Sequence, residues 1–181
     1  FNPVSALGAF AVTDELYQVA YLPAVDGTDP TTNIPTLFVD PNRVVKDKDV
    51  TTSGSSWDTP LNNVSEAVKH MEEYIKLNNV TSKTQILVKQ GTITTAGSSS
   101  YLYDTTTGEA NLESGAIHLL SNMLMYGGYS SSLTGTTVTD TKDASGKTIV
   151  ARNPKENVTR INGNIIGNYK YNSVHCVIFP N

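Results

Sequence analysis

Residues 84–94 read TQILVKQGTIT, and this stretch determines which fold classes the chain can adopt. Its apolar positions Ile86, Leu87, Val88 and Ile93 are mostly β-branched and stand among Thr, Gln and Gly. A short apolar run of this composition, bounded by turn-forming residues, is typical of a β-strand. The sequence therefore predicts strands from residue 84 onward.

Six further segments of the same kind follow. All are brief, rich in β-branched or aromatic residues, and separated by Gly, Asn or Ser runs. They are 101–104 (YLYD), 115–120 (GAIHLL), 122–129 (NMLMYGGY), 147–152 (KTIVAR), 158–167 (VTRINGNIIG) and 172–180 (NSVHCVIFP). No helical pattern separates them, which argues against a doubly wound α/β sheet and leaves a sandwich, a barrel or a solenoid.

One helix is predicted before these strands, over residues 61–77 (LNNVSEAVKHMEEYIKL). Its apolar residues recur at helical spacing. They are Val64, Ala67, Val68, Met71, Tyr74 and Ile75. Asn63 followed by Glu66 forms a capping pair at the start. We expect this helix to cover one side or end of the sheet structure.

The N-terminal segment, residues 1–36, is predicted to be an irregular arm, because its Pro and Gly content leaves room for only one short strand in ELYQVAYL. A second strand is predicted in TLFVDP, ending at Pro41. The polar residues 42–58 then connect this strand to the helix.

The composition excludes several classes of protein. The 181 residues suffice for one compact domain, and the net charge of −4 without a Lys/Arg cluster argues against nucleic acid as a partner. The single cysteine, Cys176, excludes an internal disulfide and a Cys-based metal site. No stretch reaches the roughly 18 apolar residues of a membrane span. A start at Phe1 fits a mature or trimmed product.

Several motifs occur in the order found in one known family. GSSWD (54–58) precedes the amphipathic helix, and ILVKQGTI (86–93) follows it. MYGGY (125–129), ARNP (151–154, with Asn153 where the family has Asp), VTRINGN (158–164) and NSVHCVIF (172–179) come next. Over residues 37–179 the chain resembles the right-handed parallel β-helix (pectin-lyase-like) surface proteins of Bacteroidetes-type bacteria.

This resemblance implies a mainly β fold: the start of a right-handed parallel β-helix with one N-terminal capping helix. A β-sandwich is the alternative. Residues 1–36 would be an arm or extension, and residues 37–181 would be the cap and first coils of a β-helix that continues further. A cap is physically sensible, because the open end of a solenoid exposes unpaired backbone and apolar interior.

Gly127 and Gly128 raise the question of a phosphate-binding loop, because they follow an apolar strand. Such a loop needs a helix N-terminus behind it to supply aligned N–H groups. Residues 129–139 (YSSSLTGTTVT) have no helical pattern and no lysine. We therefore expect the two glycines to let the chain leave the sheet for a long excursion over residues 130–146.

No metal or cofactor site is predicted. Residues 47–58 carry oxygens at calcium-loop spacing but lack the required Gly and Glu, which favours a plain polar connection. His70, His118 and His175 are far apart and have no acidic neighbour at ligand spacing. His70 is placed on the polar side of the helix, whereas the other two alternate with apolar strand residues.

Catalysis has little support. The acidic residues of 109–113 (EANLE) and 139–143 (TDTKD) lie in turn-like sequence, whereas glycoside hydrolysis needs two carboxylates at fixed separation on rigid elements. Cys176 alternates with Val174 and Ile178 and is interpreted as a core residue.

Three N-glycosylation patterns begin at Asn63, Asn79 and Asn157 and are attributed to chance. Tyrosines that could stack on sugars or pack under loops are Tyr101, Tyr103, Tyr126, Tyr129, Tyr169 and Tyr171.

The predicted function is that of a non-enzymatic secreted or cell-surface β-helix protein: an adhesin, a stalk or a component of a surface assembly associated with the outer membrane. Surface glycans or other cell-surface proteins are the expected partners. No catalytic residue, cofactor or metal is predicted. The alternative is the N-terminal part of a β-helix polysaccharide lyase or glycoside hydrolase whose active site lies in later coils.

Overall fold

The computed structural model describes residues 18–27, 31–44, 53–94, 117–162 and 177–178. This part of the chain contains ten strands and a single helix, α1 (Val64–Asn78). The strands are β1 (Ala20–Pro23), β2 (Asn33–Val39), β3 (Thr84–Lys89), β4 (Gly91–Thr94), β5 (Ile117–His118), β6 (Met123–Tyr129), β7 (Thr141–Lys142), β8 (Thr148–Ile149), β9 (Thr159–Asn162) and β10 (Val177–Ile178). The prediction of a mainly β chain with an amphipathic helix is confirmed.

The largest sheet has the strand order β1-β2-β3-β6. Strands β2, β3 and β6 run parallel, and β1 pairs antiparallel with the first half of β2. Beyond the end of β1, the same edge of β2 is bonded by the segment before the helix. There Leu61 N donates to Phe38 O, and Asp40 N donates to Leu61 O. Part of the segment assigned to the arm thus joins the sheet as β1 and the start of β2.

Two smaller parallel sheets continue the pattern. Strand β4 pairs with β9, and β5 pairs with β10, both in parallel. Each strand of the series β3, β4, β5 therefore lies beside its counterpart in the later series β6, β9, β10. The short pair β7–β8 is antiparallel and belongs to the excursion between β6 and β9.

Strands β2 and β3 are buried on both faces, which explains their nearly continuous apolar sequence. On the inner face, the side chains of the strands and of α1 form one core: Leu37, Val39, Leu61, Val64, Ala67, Val68, Met71, Ile86, Val88, Ile93, Ile117, Leu119 and Met123. On the outer face, a second cluster contains Phe38, Trp57, Leu87, Tyr129, Leu133 and Ala151.

The buried polar side chain of Gln85, on the outer face, has hydrogen-bond partners for both its amide nitrogen and its amide oxygen. Gln85 donates from Nε2 to Pro23 O and to Thr36 Oγ1, both at 3.0 Å, and its Oε1 accepts from Val25 N at 3.0 Å. Because a buried amide without partners would cost free energy, these bonds make Gln85 compatible with the core. They also tie the turn after β1 to the centre of the sheet.

Helix α1 begins three residues later than predicted, because Leu61 is held in extended conformation beside β2. The predicted N-cap is confirmed: Asn63 Oδ1 accepts a hydrogen bond from Ser65 N at 2.7 Å. The helix ends where Asn79 adopts a left-handed conformation and its N–H bonds to Ile75 O. The predicted apolar face is the buried one, with Tyr74 and Ile75 at its margin.

The strand predicted over residues 84–94 is two strands, because the chain turns between Gln90 and Gly91: Gln90 N still donates to Tyr129 O of β6, whereas Gly91 N donates to Val158 O beside β9. The segments predicted over 115–120, 147–152, 158–167 and 172–180 contain the shorter strands β5, β8, β9 and β10. The strand predicted over 101–104 lies outside the described residues.

Candidate functional site

Polar side chains meet at one edge of the large sheet, where three parallel strands end. Asp40 follows β2, Lys89 ends β3 and Tyr129 ends β6. Because the carboxyl ends of parallel strands lie at the same edge, these side chains are brought together although they are far apart in sequence. Lys89 Nζ lies 3.6 Å from Asp40 Oδ2, and the Lys89 side chain is only 5% exposed.

Trp57 covers this edge from outside. Its ring lies 4.5 Å from Phe38 and 5.3 Å from Tyr129, centroid to centroid, and Lys89 Nζ lies 5.3 Å from the indole centroid. The indole Nε1 donates to Thr137 O at 2.7 Å, so the aromatic residue has a partner for its polar end. The Lys89 charge is thus balanced by the Asp40 carboxylate and by the π-face of Trp57.

This buried edge has the properties of a structural cluster. Trp57, Lys89 and Tyr129 are all buried, so a molecule in solution does not reach these three side chains. Burial raises the pKa of Tyr129 to about 12, although nearby Arg152 acts in the opposite direction. The Tyr129 hydroxyl is therefore protonated at neutral pH and cannot act as a base there.

The two glycines of β6 serve packing. A Cβ on Gly127 would lie 2.7 Å from Thr159 Cβ, and one on Gly128 would lie 2.9 Å from Pro154. Gly128 also has a φ of +90°, which side chains disfavour. The predicted excursion does start at these two glycines. Because they have no side chains, the returning segment 154–159 can also pack closely against β6. No helix follows them among the described residues, so the aligned donors of a phosphate loop are missing at this turn.

The excursion after β6 folds back over Trp57. Trp57 N donates to Gly135 O at 2.7 Å, and Gly135 N donates to Asp58 Oδ2 at 3.0 Å. Leu133 and Ala151 add apolar contacts to the outer cluster. The GSSW turn (54–57) is therefore covered by the excursion, although the two segments lie far apart in the sequence.

A second polar group lies at the surface of the outer face. Arg152 Cζ lies 5.4 Å from the ring centroid of Tyr126, and Arg152 Nε donates to Gly127 O at 2.9 Å. Lys83 and Asp26 form an ion pair at 3.0 Å. We call Asp26, Lys83, Tyr126 and Arg152 the Tyr126 cluster. It combines a partly exposed aromatic ring with charged groups of both signs.

A shallow groove separates α1 from β5. It is lined by Ser65, Val68, Lys69, Glu72 and His118. The groove is open and small, with a volume of about 130 Å³, whereas small-molecule pockets typically measure about 300 Å³ or more. It gives His118, which is exposed, a polar neighbourhood without enclosing a ligand.

His70 and His118 are the two histidines among the described residues. His70 is half-buried rather than on the solvent side of α1, and burial lowers its pKa. His118 lies on β5, and His175 lies outside the described residues together with Cys176. Within the described part of the chain, no group of three or more His, Cys, Asp or Glu side chains could hold a metal ion.

In the acidic segment that the structure describes, residues 139–143, both carboxylates accept hydrogen bonds from the chain itself. Asp140 Oδ1 accepts from Ala151 N at 2.9 Å, and Asp143 accepts from the Ser145 hydroxyl at 2.6 Å and from Lys147 N at 3.0 Å. These bonds lower the pKa of Asp143, chiefly through Ser145, and show that the carboxylate shapes the β7–β8 turn. No aspartate or glutamate lies on any of the ten described strands, and 109–113 lie outside the described residues.

The other candidates have structural roles or lie outside the description. Asn63 is the cap of α1 and Asn79 ends that helix, so two glycosylation patterns coincide with helix termini. Tyr101, Tyr103, Tyr169 and Tyr171 lie outside the described residues, as do 47–52 of the calcium-like segment. The sequence singled out Tyr126 but not Arg152, Lys83 or Asp26, because only the packing of the excursion and of the turn after β1 places them together.

In the described residues, α1 falls short of the length and apolar character that a membrane-spanning helix needs. Comparison of the chain with protein-family models, with curated protein sequences and with solved structures gives no match. The resemblance to the β-helix surface proteins stays a prediction that rests on the motifs quoted above.

Proposed function

We propose that this chain is the capped start of a right-handed parallel β-helix, and that it works as a non-enzymatic module of a secreted or cell-surface protein. The observation that carries the proposal is the pairing of two successive strand series. Strands β3, β4 and β5 pair in parallel with β6, β9 and β10, in the same order along the chain. A chain that winds twice around one axis produces this pattern, whereas a sandwich built from hairpins produces antiparallel neighbours.

The packing of α1 supports the role of a cap. The helix contacts β2, β3 and β5, and its apolar side chains share one core with Ile93 of β4. It therefore packs on the large sheet and on the β5–β10 sheet, and it shares one core with the β4–β9 sheet. A helix in this position keeps water and other strand edges away from the end of a solenoid.

A structural or adhesive role is favoured over catalysis by the same residues. The described strands carry no carboxylate, and the ion pair of the buried Lys89 with Asp40 is covered by Trp57. The surface is polar through Ser, Thr and Asn more than through charge, which suits display outside the cell without binding polyanions. The module would present or bind glycans or other surface proteins.

Disulfide cross-linking tests the coil arrangement. Thr92 and Arg160 face each other across β4 and β9, and both are exposed. In a Cys176→Ser background, the pair Thr92→Cys with Arg160→Cys should oxidise readily, because directly paired residues meet the distance that a disulfide requires. The matched control combines Thr92→Cys with Asn162→Cys, two residues out of register, and should oxidise poorly. Equal oxidation of the two pairs would contradict the parallel register.

A turnover assay tests the non-enzymatic role. The purified chain is incubated with acidic and neutral polysaccharides, and new reducing ends and unsaturated products are measured. We expect none above the buffer control. Turnover that disappears on substitution of a carboxylate in this chain would overturn the proposal and favour a polysaccharide lyase or glycoside hydrolase.

A further inference from the structure

The hydroxyl groups of Tyr21 and Tyr74 meet where β1 passes beside α1. Their oxygens lie 2.5 Å apart, although the two residues are separated by 53 positions in the sequence. Tyr21 lies on an edge strand of the large sheet, and Tyr74 lies in the second half of the helix. The contact therefore joins the first described strand to the helix that packs on the inner core.

Both residues lie on elements that the sheet and the core hold in place. In the pairing of β1 with β2, Tyr21 lies opposite Pro35. The Tyr74 side chain is half-buried and packs against the inner core, which also contains Met71 from the preceding turn of α1. Since neither residue can move far without breaking these contacts, the two rings remain close while one of them reacts.

Oxidants in solution can reach this pair. Among the aromatic residues that the structure describes, Tyr21 is the most exposed, at 53%, whereas Trp57 and Tyr129 are buried. This exposure also leaves the Tyr21 ring room to rotate about its side-chain bonds. The ring carbons next to each hydroxyl are two bonds away from the touching oxygens. A small rotation therefore brings a carbon of one ring against a carbon of the other.

We propose that Tyr21 and Tyr74 form a site of oxidative cross-linking, at which hydrogen peroxide and a peroxidase join the two rings as dityrosine. Each phenol loses one electron to the oxidant and its hydroxyl proton to water. The two radicals then couple, which forms a C–C bond between the ring carbons next to the hydroxyls. The hydrogens on these carbons transfer to the oxygens and restore both phenols. The two electrons, with two protons from water, reduce one hydrogen peroxide to two molecules of water.

A cross-link at this contact would stabilise the chain as a disulfide does. The chain has one cysteine, Cys176, and therefore cannot form an internal disulfide. A bond between Tyr21 and Tyr74 would close a loop that spans 53 positions, and covalent closure of a long loop lowers the entropy of the unfolded chain. We therefore expect the cross-linked chain to unfold at a higher urea concentration than the untreated chain.

Treatment of the dilute, purified chain with peroxidase and hydrogen peroxide tests the site. In the monomer we expect a mass loss of two hydrogen atoms, the blue fluorescence of dityrosine, and a tryptic product that joins residues 1–43 to residues 70–76. Tyr21→Phe and Tyr74→Phe should each abolish this product. The matched control is Tyr17→Phe, which changes a tyrosine in the same tryptic peptide and should leave the yield unchanged.

Two measurements on the wild-type chain keep the test independent of variant stability. Fragment-ion spectra of the joined product should place the bond on Tyr21 and not on Tyr17, and the isolated cross-linked monomer should have a raised urea midpoint. Absence of the joined product from the monomer, a bond at Tyr17, or an unchanged urea midpoint would overturn the proposal. Such a failure would leave the coil arrangement intact, because the cross-linking of β4 to β9 measures that arrangement separately.

Discussion

The hydroxyl of Thr159 in β9 accepts a hydrogen bond from Gly128 N in β6 at 2.9 Å. The same oxygen donates to Lys89 O at the end of β3, at 3.1 Å. One side chain therefore joins three strands from two different parallel sheets. Only a residue without a Cβ at position 127 lets Thr159 approach this closely. The corner between the sheets depends on this contact.

Gly127→Ala should destabilise the chain by about 1–3 kcal/mol, because the new Cβ would meet Thr159 Cβ at 2.7 Å and force β6 and β9 apart. Urea unfolding followed by circular dichroism measures the change. In Gly146→Ala the new Cβ meets no atom within 4 Å, so its loss of about 1–2 kcal/mol comes from the positive φ alone. Gly127 has no positive φ, so a loss of less than about 0.5 kcal/mol in Gly127→Ala would contradict the close-packing explanation.

Val68→Asp should cost about 3–5 kcal/mol, because it places an unpaired charge between α1 and the inner core. Lys69→Asp introduces the same side chain one position further along, on the exposed side of the helix, and should change the free energy of unfolding by about 0.5 kcal/mol or less. We also expect Val68→Asp to aggregate, since an uncovered coil offers open strand edges. Light scattering and urea unfolding report both effects. Similar behaviour of the two variants would remove the support for a capping helix.

Asp40→Asn should destabilise the chain by about 3 kcal/mol, because it leaves the Lys89 ammonium buried without its carboxylate. Asparagine preserves an oxygen for the bond from Asn42 N, so the comparison isolates the charge. The double variant Asp40→Asn with Lys89→Met should recover most of that loss, since neither charge remains. A double-mutant cycle in urea measures this coupling. Additive losses would show that the two charges do not act as a pair.

The stability of the chain should fall as the pH rises from 10 to 12. Burial holds the pKa of Tyr129 at about 12 in the folded chain, above the ordinary value of 10.0. Folding therefore favours the protonated phenol of Tyr129. Its contribution to the free energy of unfolding is complete below pH 10 and is lost as the pH rises through 12. Tyr129→Phe should flatten this part of the stability profile. The pKa of Tyr74 is also raised to about 12, first by burial and then by its hydrogen bond to Tyr21, so Tyr74→Phe should remove a further part.

Urea unfolding at pH 8, 10 and 11.5, combined with absorbance of the tyrosinate at 295 nm, checks this pH dependence. An unchanged alkaline profile in Tyr129→Phe would show that the buried phenol does not titrate with unfolding.

Local sequence was sufficient for α1 and its N-cap at Asn63. Apolar spacing along a helix and a side chain that reaches its own backbone are properties of neighbouring residues, so they can be recognised without knowledge of the fold. The positions of most strands could be predicted for the same reason. Their bounds could not: β3 and β4 separate at Gly91, whose N–H donates to Val158 O, a partner distant in sequence.

Tertiary structure alone decided which strands pair and which polar residues meet. Asp40 and Lys89 each have an unremarkable local sequence, and they meet only because parallel strands bring their carboxyl ends to the same edge, where Trp57 covers Lys89. Arg152 reaches Tyr126 only because the excursion folds back onto the outer face, and Asp26 reaches Lys83 only because the turn after β1 does. Local patterns encode which face of a strand is buried, but not which distant strand or loop covers it, since that depends on packing between segments far apart in the chain.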